Sequence, residues 1–317
     1  MKSPLLVILL ALSTLALAQP KAEVAFTIRE KDLIPEGITY DPVARNFYVG
    51  SIHKKKILRI TPRGSVSEFA SSPRVDLHEV LGMKVDAARR RLWVCSNTPE
   101  HDSTNYVSSI HVFDLTSNAL VKKYQIAGKQ RHLFNDLVIA SNGDVYITDS
   151  DGGSIHVIRK DSDSIEEFLK PKALGYPNGI TMTPDESKLI VSTGSRLGIV
   201  SIDLQKKEIT PITHAKYFLI GIDGMYRKGN ALIAVQNNTF PESVLRMDCS
   251  ADFSRIEKVS FIAANQPQID LPTTGVLVDD YIYFIANSQL LQIVGNKGVI
   301  KDPSKLQDVI IMRAKIN

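Results

Sequence analysis

The chain has 317 residues, 44% of them hydrophobic, and a net charge of +4 from 38 Lys and Arg against 34 Asp and Glu. That length can bury a large core, and so slight a charge excludes the extended basic surface that nucleic-acid binding needs. The two basic runs, Lys54-Lys55-Lys56 and Arg89-Arg90-Arg91, lack interleaved aromatics and fall at predicted turns, where they read as solvated.

The chain starts Met1-Lys2-Ser3-Pro4, continues through an apolar run over 5–17 and reaches Ala16-Leu17-Ala18. A short basic start, an apolar centre and a small-x-small site predict a cleavable secretory signal over 1–18. The run is shorter than the roughly 20 residues of a membrane span, and no later run is longer. A secreted or periplasmic protein is therefore expected, with no membrane span after cleavage. No Pro/Ser/Gly-rich linker divides residues 19–317, which read as one domain.

Short β-rich runs follow one another from there on. Gly37-Ile38-Thr39-Tyr40, then 47–51 and 56–61, set a pattern that returns at 82–85, 91–96 and 109–114. It returns again at 136–139, 145–149 and 154–158, and at 179–182, 188–192 and 198–202. The last two passes run through 224–226 and 231–235, then 275–278 and 281–285. The first run of each unit starts at 37, 82, 136, 179, 224 and 275, at intervals of 45, 54, 43, 45 and 51. A period of roughly 40–50 residues with three or four strands per unit predicts an all-β, six-bladed β-propeller with a central channel. A terminal strand should close the ring, with 23–28 and 308–316 as the two candidates. Cys95 and Cys249 fall in units two and five, on opposite sides of such a ring, and are expected as free, buried thiols.

In a propeller the start of each innermost strand faces the axis. The residues just before those starts are Glu36, Leu81, Asn135, Asn178, Asp223 and Thr274. Four of them carry a carboxylate or amide oxygen, forming a hard oxygen-only set that suits Ca²⁺ best and Mg²⁺ or Mn²⁺ less well. Zinc is disfavoured without His or Cys in the set. Asn178-Gly179 alone would suggest a hairpin turn, but the turn of that unit is already supplied by Thr183-Pro184-Asp185-Glu186. Leu81 and Thr274 complete the ring and are candidates to touch substrate or to support the ligands.

Pro35-Glu36-Gly37, Phe134-Asn135-Asp136-Leu137, Pro177-Asn178-Gly179-Ile180 and Ile222-Asp223-Gly224-Met225 resemble the metal-binding motifs of the SMP-30/gluconolactonase/luciferin-regenerating-enzyme superfamily. That group is related to the paraoxonases and diisopropylfluorophosphatase. The motifs keep their order and blade spacing, so the resemblance covers essentially all of 19–317. It implies a six-bladed propeller, a catalytic Ca²⁺ (another divalent ion in some members) and hydrolysis of small-molecule lactones, esters or phosphotriesters. It also implies Glu36, Asn135, Asn178 and Asp223 as the metal ligands. Leu81 stands where paraoxonase-like members place a His, which argues against their histidine-dyad chemistry. Gly37 stands where they have an acid for a second, structural calcium, which leaves Asp136 alone there.

In the expected mechanism the ion acts as a Lewis acid on the substrate oxygen. Asp223 is the first choice for the base that deprotonates water, and Glu36 the second. His132, three residues before Asn135, and His101, in the long second-unit segment 97–109, are further candidates for a supporting base. That segment is where substrate selectivity is expected. Two alternatives use the same site: phosphotriester hydrolysis, and a non-catalytic binding propeller whose calcium is structural. An interaction scaffold gives no reason to place four oxygen ligands at one axial position.

Overall fold

The alternating apolar runs form strands that pair into six antiparallel four-stranded sheets, with one small two-stranded hairpin beside them. The computed structural model describes residues 21–316, apart from 103, 215, 216, 218 and 296. The expected signal over 1–18 lies outside the described residues. The sheets are the blades of a six-bladed β-propeller. Their innermost strands are Pro35–Asp41, Glu79–Asp86, Phe134–Ile139, Pro177–Met182, Ile222–Lys228 and Gly275–Val278. Among the described residues helix is confined to one four-residue turn, Ser72–Val75, and three short 3₁₀ turns. Among the described residues no helix is long and apolar enough to cross a membrane.

The core is distributed between the blades. Each blade has two faces, and the apolar residues of one face meet those of the next blade. Tyr48 and Ile57 of blade one pack with Leu92, Val94 and Phe113 of blade two. Similar clusters join blades two to three, three to four, four to five and five to six. A sixth, holding Ile38, Val49 and Leu58 with Ile285, Val309 and Ile311, joins blade six back to blade one. Strands buried on both faces read as nearly continuous apolar runs, which is why Val145–Asp149 and Ala231–Gln236 are buried at every position.

Both terminal strands take part in closure. Blade six runs from the axis outward as Gly275–Val278, Tyr281–Ile285, Val309–Lys315 and Glu23–Ile28. The N-terminal strand is therefore outermost, paired antiparallel from Glu23 opposite Arg313 to Ile28 opposite Val309. Joining the two ends of the chain in one sheet removes the exposed edge that an open ring would carry. Cys95 and Cys249 are buried and unbonded, as expected.

The innermost strands of blades one to five share one irregularity. The ladder of blade one steps from Pro35 opposite Ser51 to Ile38 opposite Val49, so Glu36-Gly37 together face a single residue. The same bulge holds Leu81-Gly82, Asn135-Asp136, Asn178-Gly179 and Asp223-Gly224. A bulge adds one residue to one strand and re-aims its side chains. The glycines follow from crowding at the axis. A Cβ on Gly82 would stand 2.7 Å from the Cα of Asp136, and one on Gly179 would stand 2.7 Å from the backbone nitrogen of Met225. The Asn-Gly pair at 178–179 thus serves a bulge and a close strand approach rather than a turn.

Candidate metal-binding and catalytic site

The bulges bring the predicted ligands together. Glu36, Asn135, Asn178 and Asp223, from blades one, three, four and five, all line one cavity of about 380 Å³ at the axis. Leu81 lines it too. Thr274 has a different part: its hydroxyl donates to the backbone oxygen of Glu36 at 2.6 Å, and Thr273 donates to the same oxygen at 3.1 Å. These two bonds tie the start of blade six to the ligand position of blade one.

Asn135 and Asp223 are each held by a neighbouring side chain. Asn135 donates its amide to Ser150 Oγ at 3.0 Å, and Ser150 in turn donates to the Pro177 carbonyl at 2.6 Å. The amide of Asn237 donates to Asp223 Oδ2 at 2.8 Å and to the Pro272 carbonyl at 2.9 Å. Glu36 Oε2, Asn178 Oδ1 and Asp223 Oδ1 are buried and have no hydrogen-bond partner. Buried oxygens are nearly always bonded, so three unpaired ones from three blades in one cavity call for a cation.

The charges agree. Burial, then the charges of Asp223, Asp136 and Glu79, push the Glu36 carboxyl well above the usual range. Burial, with a further push from Asp136, raises Asp223 to about 6, although the amides of Asn237 and Asn178 pull it back. Two buried carboxyls that resist ionisation together are what a bound divalent ion would relieve.

Below the ligands, Asp136 pairs with Lys84 at 2.7 Å, and that ammonium lies 5.2 Å from the centre of the Tyr226 ring. This acid, beside Glu36 and Asp223, therefore has a cation supplied by the chain itself. The wall carries two features absent from the sequence-based reading. One is Glu79, whose carboxyl burial pushes up to about 7. The other is the extension of blade six between Ile285 and Val309, which brings Leu290, Ile293, Gly295 and Gly298 to the cavity. It lies outside the repeat, so no periodic signal announces it.

The two histidines take other places. His132 bonds to Asp149, and His156 Nε2 lies 3.2 Å from the same carboxylate oxygen. The ligand atoms of His132, Asp149 and His156 all lie within 4.8 Å of one another, so this group too could hold a metal ion. Its oxygens are already engaged: Asp149 Oδ1 accepts from the backbone of Leu133 and Gly152, each at 2.9 Å, and Ser154 donates to Oδ2 at 3.3 Å. These bonds pull the Asp149 carboxyl far below its ordinary value despite burial. The axial set keeps three oxygens unpaired and fits an ion better. His101 is exposed, and a Cβ on Gly298 would fall on its ring. The second-unit loop and the blade-six extension therefore meet at the channel mouth. That loop is shorter than expected, because the third strand of blade two begins at Tyr106. Glu100 brings it to the cavity wall.

The SMP-30/Gluconolactonase/LRE-like region profile matches residues 34–230, more than half of the chain. No curated protein matches by sequence. Among solved structures, a gluconolactonase from Xanthomonas campestris is similar with a TM-score of 0.62 at 16% identity, covering 91% of this chain and 88% of that one. A luciferin-regenerating enzyme is similar with a TM-score of 0.62 at 14% identity, covering 93% and 95%. A PQQ-bound aldose sugar dehydrogenase from Streptomyces coelicolor reaches 0.63 at 11% identity, covering 93% and 98%. A hydrolase and a dehydrogenase at equal similarity establish a shared fold and leave the chemistry to the site.

Proposed function

The chain belongs to the SMP-30/gluconolactonase/LRE-like family, and from that premise we propose that it is a metal-dependent hydrolase of lactones or related esters, with Ca²⁺ as the ion. One observation carries the reading: Glu36 Oε2, Asn178 Oδ1 and Asp223 Oδ1 are buried and unpaired in one cavity. With Asn135 they would hold the ion through oxygen alone, the donor set that Ca²⁺ prefers. When bound, the ion would polarise the substrate carbonyl and stabilise the charge that develops on its oxygen.

The chain's own groups supply the rest. Asn237 fixes the Asp223 carboxylate through Oδ2, while Thr273 and Thr274 fix the backbone that carries Glu36. Asp223 takes a proton from the attacking water as its oxygen bonds to the acyl carbon. The ring C–O bond then breaks, and the proton passes to the departing alkoxide, giving the hydroxy acid. Leu81, Leu133 and Ile52 pack together on one side of the cavity and keep bulk water from that wall. We also place the protein outside the cytosol, on the basic start, apolar run and small-x-small site of 1–18.

Hydrolysis of γ- and δ-lactones, aryl esters and an organophosphate by the purified protein, with Ca²⁺ and with chelator, tests the reading. Chelator-sensitive turnover that is lost in Asp223→Ala, with the fold intact, supports it. Calcium binding without turnover of any compound in the panel would replace it with a binding propeller.

A further inference from the structure

Glu79 is a cavity acid to which the reaction above gives no task. It opens the innermost strand of blade two, Glu79–Asp86, and lines the cavity together with Leu81. Two residues of strand span roughly 6–7 Å, so Glu79 stands nearer the mouth than the ring of positions that holds Glu36, Asn135, Asn178 and Asp223. The strand start is fixed in place. The backbone of His78 donates to Ser96 Oγ at 2.8 Å. Asn97, opposite Glu79 in the ladder, exchanges bonds of 2.8 and 2.9 Å with the backbone of Phe134. In a six-bladed ring blade two faces blade five, so Glu79 and Asp223 approach the cavity from opposite walls.

The Glu79 side chain is half-buried, and no described residue bonds to its carboxyl. The charges that act on it are Arg131 and Lys55, which favour its ionised form, and Glu100, which opposes it; Glu36 feels its charge in turn. Arg131 is already committed to Asp151. Burial outweighs the two cations and holds the carboxyl at about 7, close to the operating pH that suits proton transfer. The other protic groups of the wall suit that task less. Glu100 is exposed on the second-unit loop, and the Tyr176 hydroxyl, pushed up to about 12, keeps its proton too tightly at neutral pH.

Resting on the hydrolase reading, we propose that Glu79 is the general acid of the reaction, standing across the cavity from Asp223 and handing its proton to the departing oxygen of the lactone or ester. Asp223 takes one proton from water as the new C–O bond forms. When the bond to the leaving oxygen breaks, its electron pair stays on that oxygen and the Glu79 proton joins it. The Glu79 carboxylate then recovers a proton from Asp223 through cavity water. One proton thus moves from water to the alkoxide overall, and both acids return to their starting states. A positioned acid contributes about 10²–10⁴-fold, and it matters most where the leaving group is a strongly basic alkoxide.

Glu79→Gln keeps the size of the side chain and removes the acid. The test compares kcat/KM for δ-valerolactone, which opens to an alkoxide, with that for 4-nitrophenyl acetate, whose phenolate departs without a proton. Calorimetric calcium Kd reports on the axial site independently of turnover. The expected result is a loss of about 100-fold or more on the lactone against about threefold or less on the aryl ester. The fall in lactone turnover above about pH 7 should vanish, and calcium Kd should stay within about twofold. No loss, or an equal loss on both substrates, would overturn the proposal. So would a calcium Kd weakened about tenfold or more, the effect expected of a group that ligates the ion or orients a ligand. If the wild type opens neither compound, the hydrolase reading fails and takes the acid with it. That outcome is distinct from an active wild type matched by Glu79→Gln, which sinks the acid alone.

Discussion

Asp223→Asn should stabilise the metal-free protein at neutral pH while weakening its response to calcium. The Asp223 carboxyl, ordinarily at 3.8, is raised to about 6 in the fold, chiefly by burial. A shift of ~2 units corresponds to about 3 kcal/mol. The sign follows from proton linkage. Below pH 3.8 the group is protonated in both states and costs nothing. Between 3.8 and 6 the unfolded chain releases its proton while the folded one retains it, so stability falls as pH rises. Above 6 the full penalty is present. Asn keeps the shape, can still accept from Asn237 through its oxygen, and does not titrate. The stability difference between variant and wild type, both in chelator, should therefore grow by about 2.5 kcal/mol from pH 4 to pH 7.5. In melting temperature that is on the order of 5–10 °C for a chain of this size. Subtracting the wild-type curve cancels the many other carboxylates that titrate in the same window. Saturating Ca²⁺ at about 100 Kd should add about 2.7 kcal/mol to the wild type and much less to the variant. Thermal and urea unfolding across pH, with and without calcium, measure all four states. A gap that does not widen with pH, or an equal calcium response in both proteins, would refute the assignment of Asp223 as a buried ligand without a counter-charge.

Other substitutions probe the scaffold. Gly179→Ala sets a Cβ 2.7 Å from the backbone nitrogen of Met225, and should cost about 1–3 kcal/mol in urea unfolding and lower calcium affinity. Lys84→Met leaves Asp136 buried without its partner and should cost about 3–5 kcal/mol, most of it recovered in Lys84→Met/Asp136→Leu. Asp149→Asn removes the shared acceptor of His132 and His156. It should destabilise by about 1–3 kcal/mol at pH 7 and leave the calcium Kd, read by calorimetry, within about twofold. A larger loss of calcium affinity in that variant would assign the metal to the histidine group instead.

Much of this architecture was legible in the sequence, for a definite reason. Each blade must bury two faces of a four-stranded sheet, so every unit repeats the same short apolar runs, and the repeat fixes how many units close a ring. The same repeat aligns Glu36, Asn135, Asn178 and Asp223 in one phase, which is why residues so far apart in the chain group together in the sequence alone. Their glycines were legible as letters but not as causes. Local rules make Asn178-Gly179 a turn, whereas crowding between neighbouring innermost strands makes it a bulge.

What depends on packing between blades could not be read from periodicity. Asp223 keeps one oxygen unpaired while Asn237 occupies the other, and the free oxygens of Glu36 and Asn178 are left beside it by the packing of three separate blades. His132 looked free to serve the site, yet Asp149, 17 residues later on the next strand, holds it. Leu290 and Ile293 reach the cavity on an extension that breaks the repeat and so carries no periodic signal. Sequence by itself determined the ring and the oxygen set at its axis, because both are imposed once per unit by local strand chemistry. Only the tertiary structure decided which oxygens stay unpaired and what the wall is made of, because desolvation and hydrogen-bond competition are settled between residues that the chain brings together last.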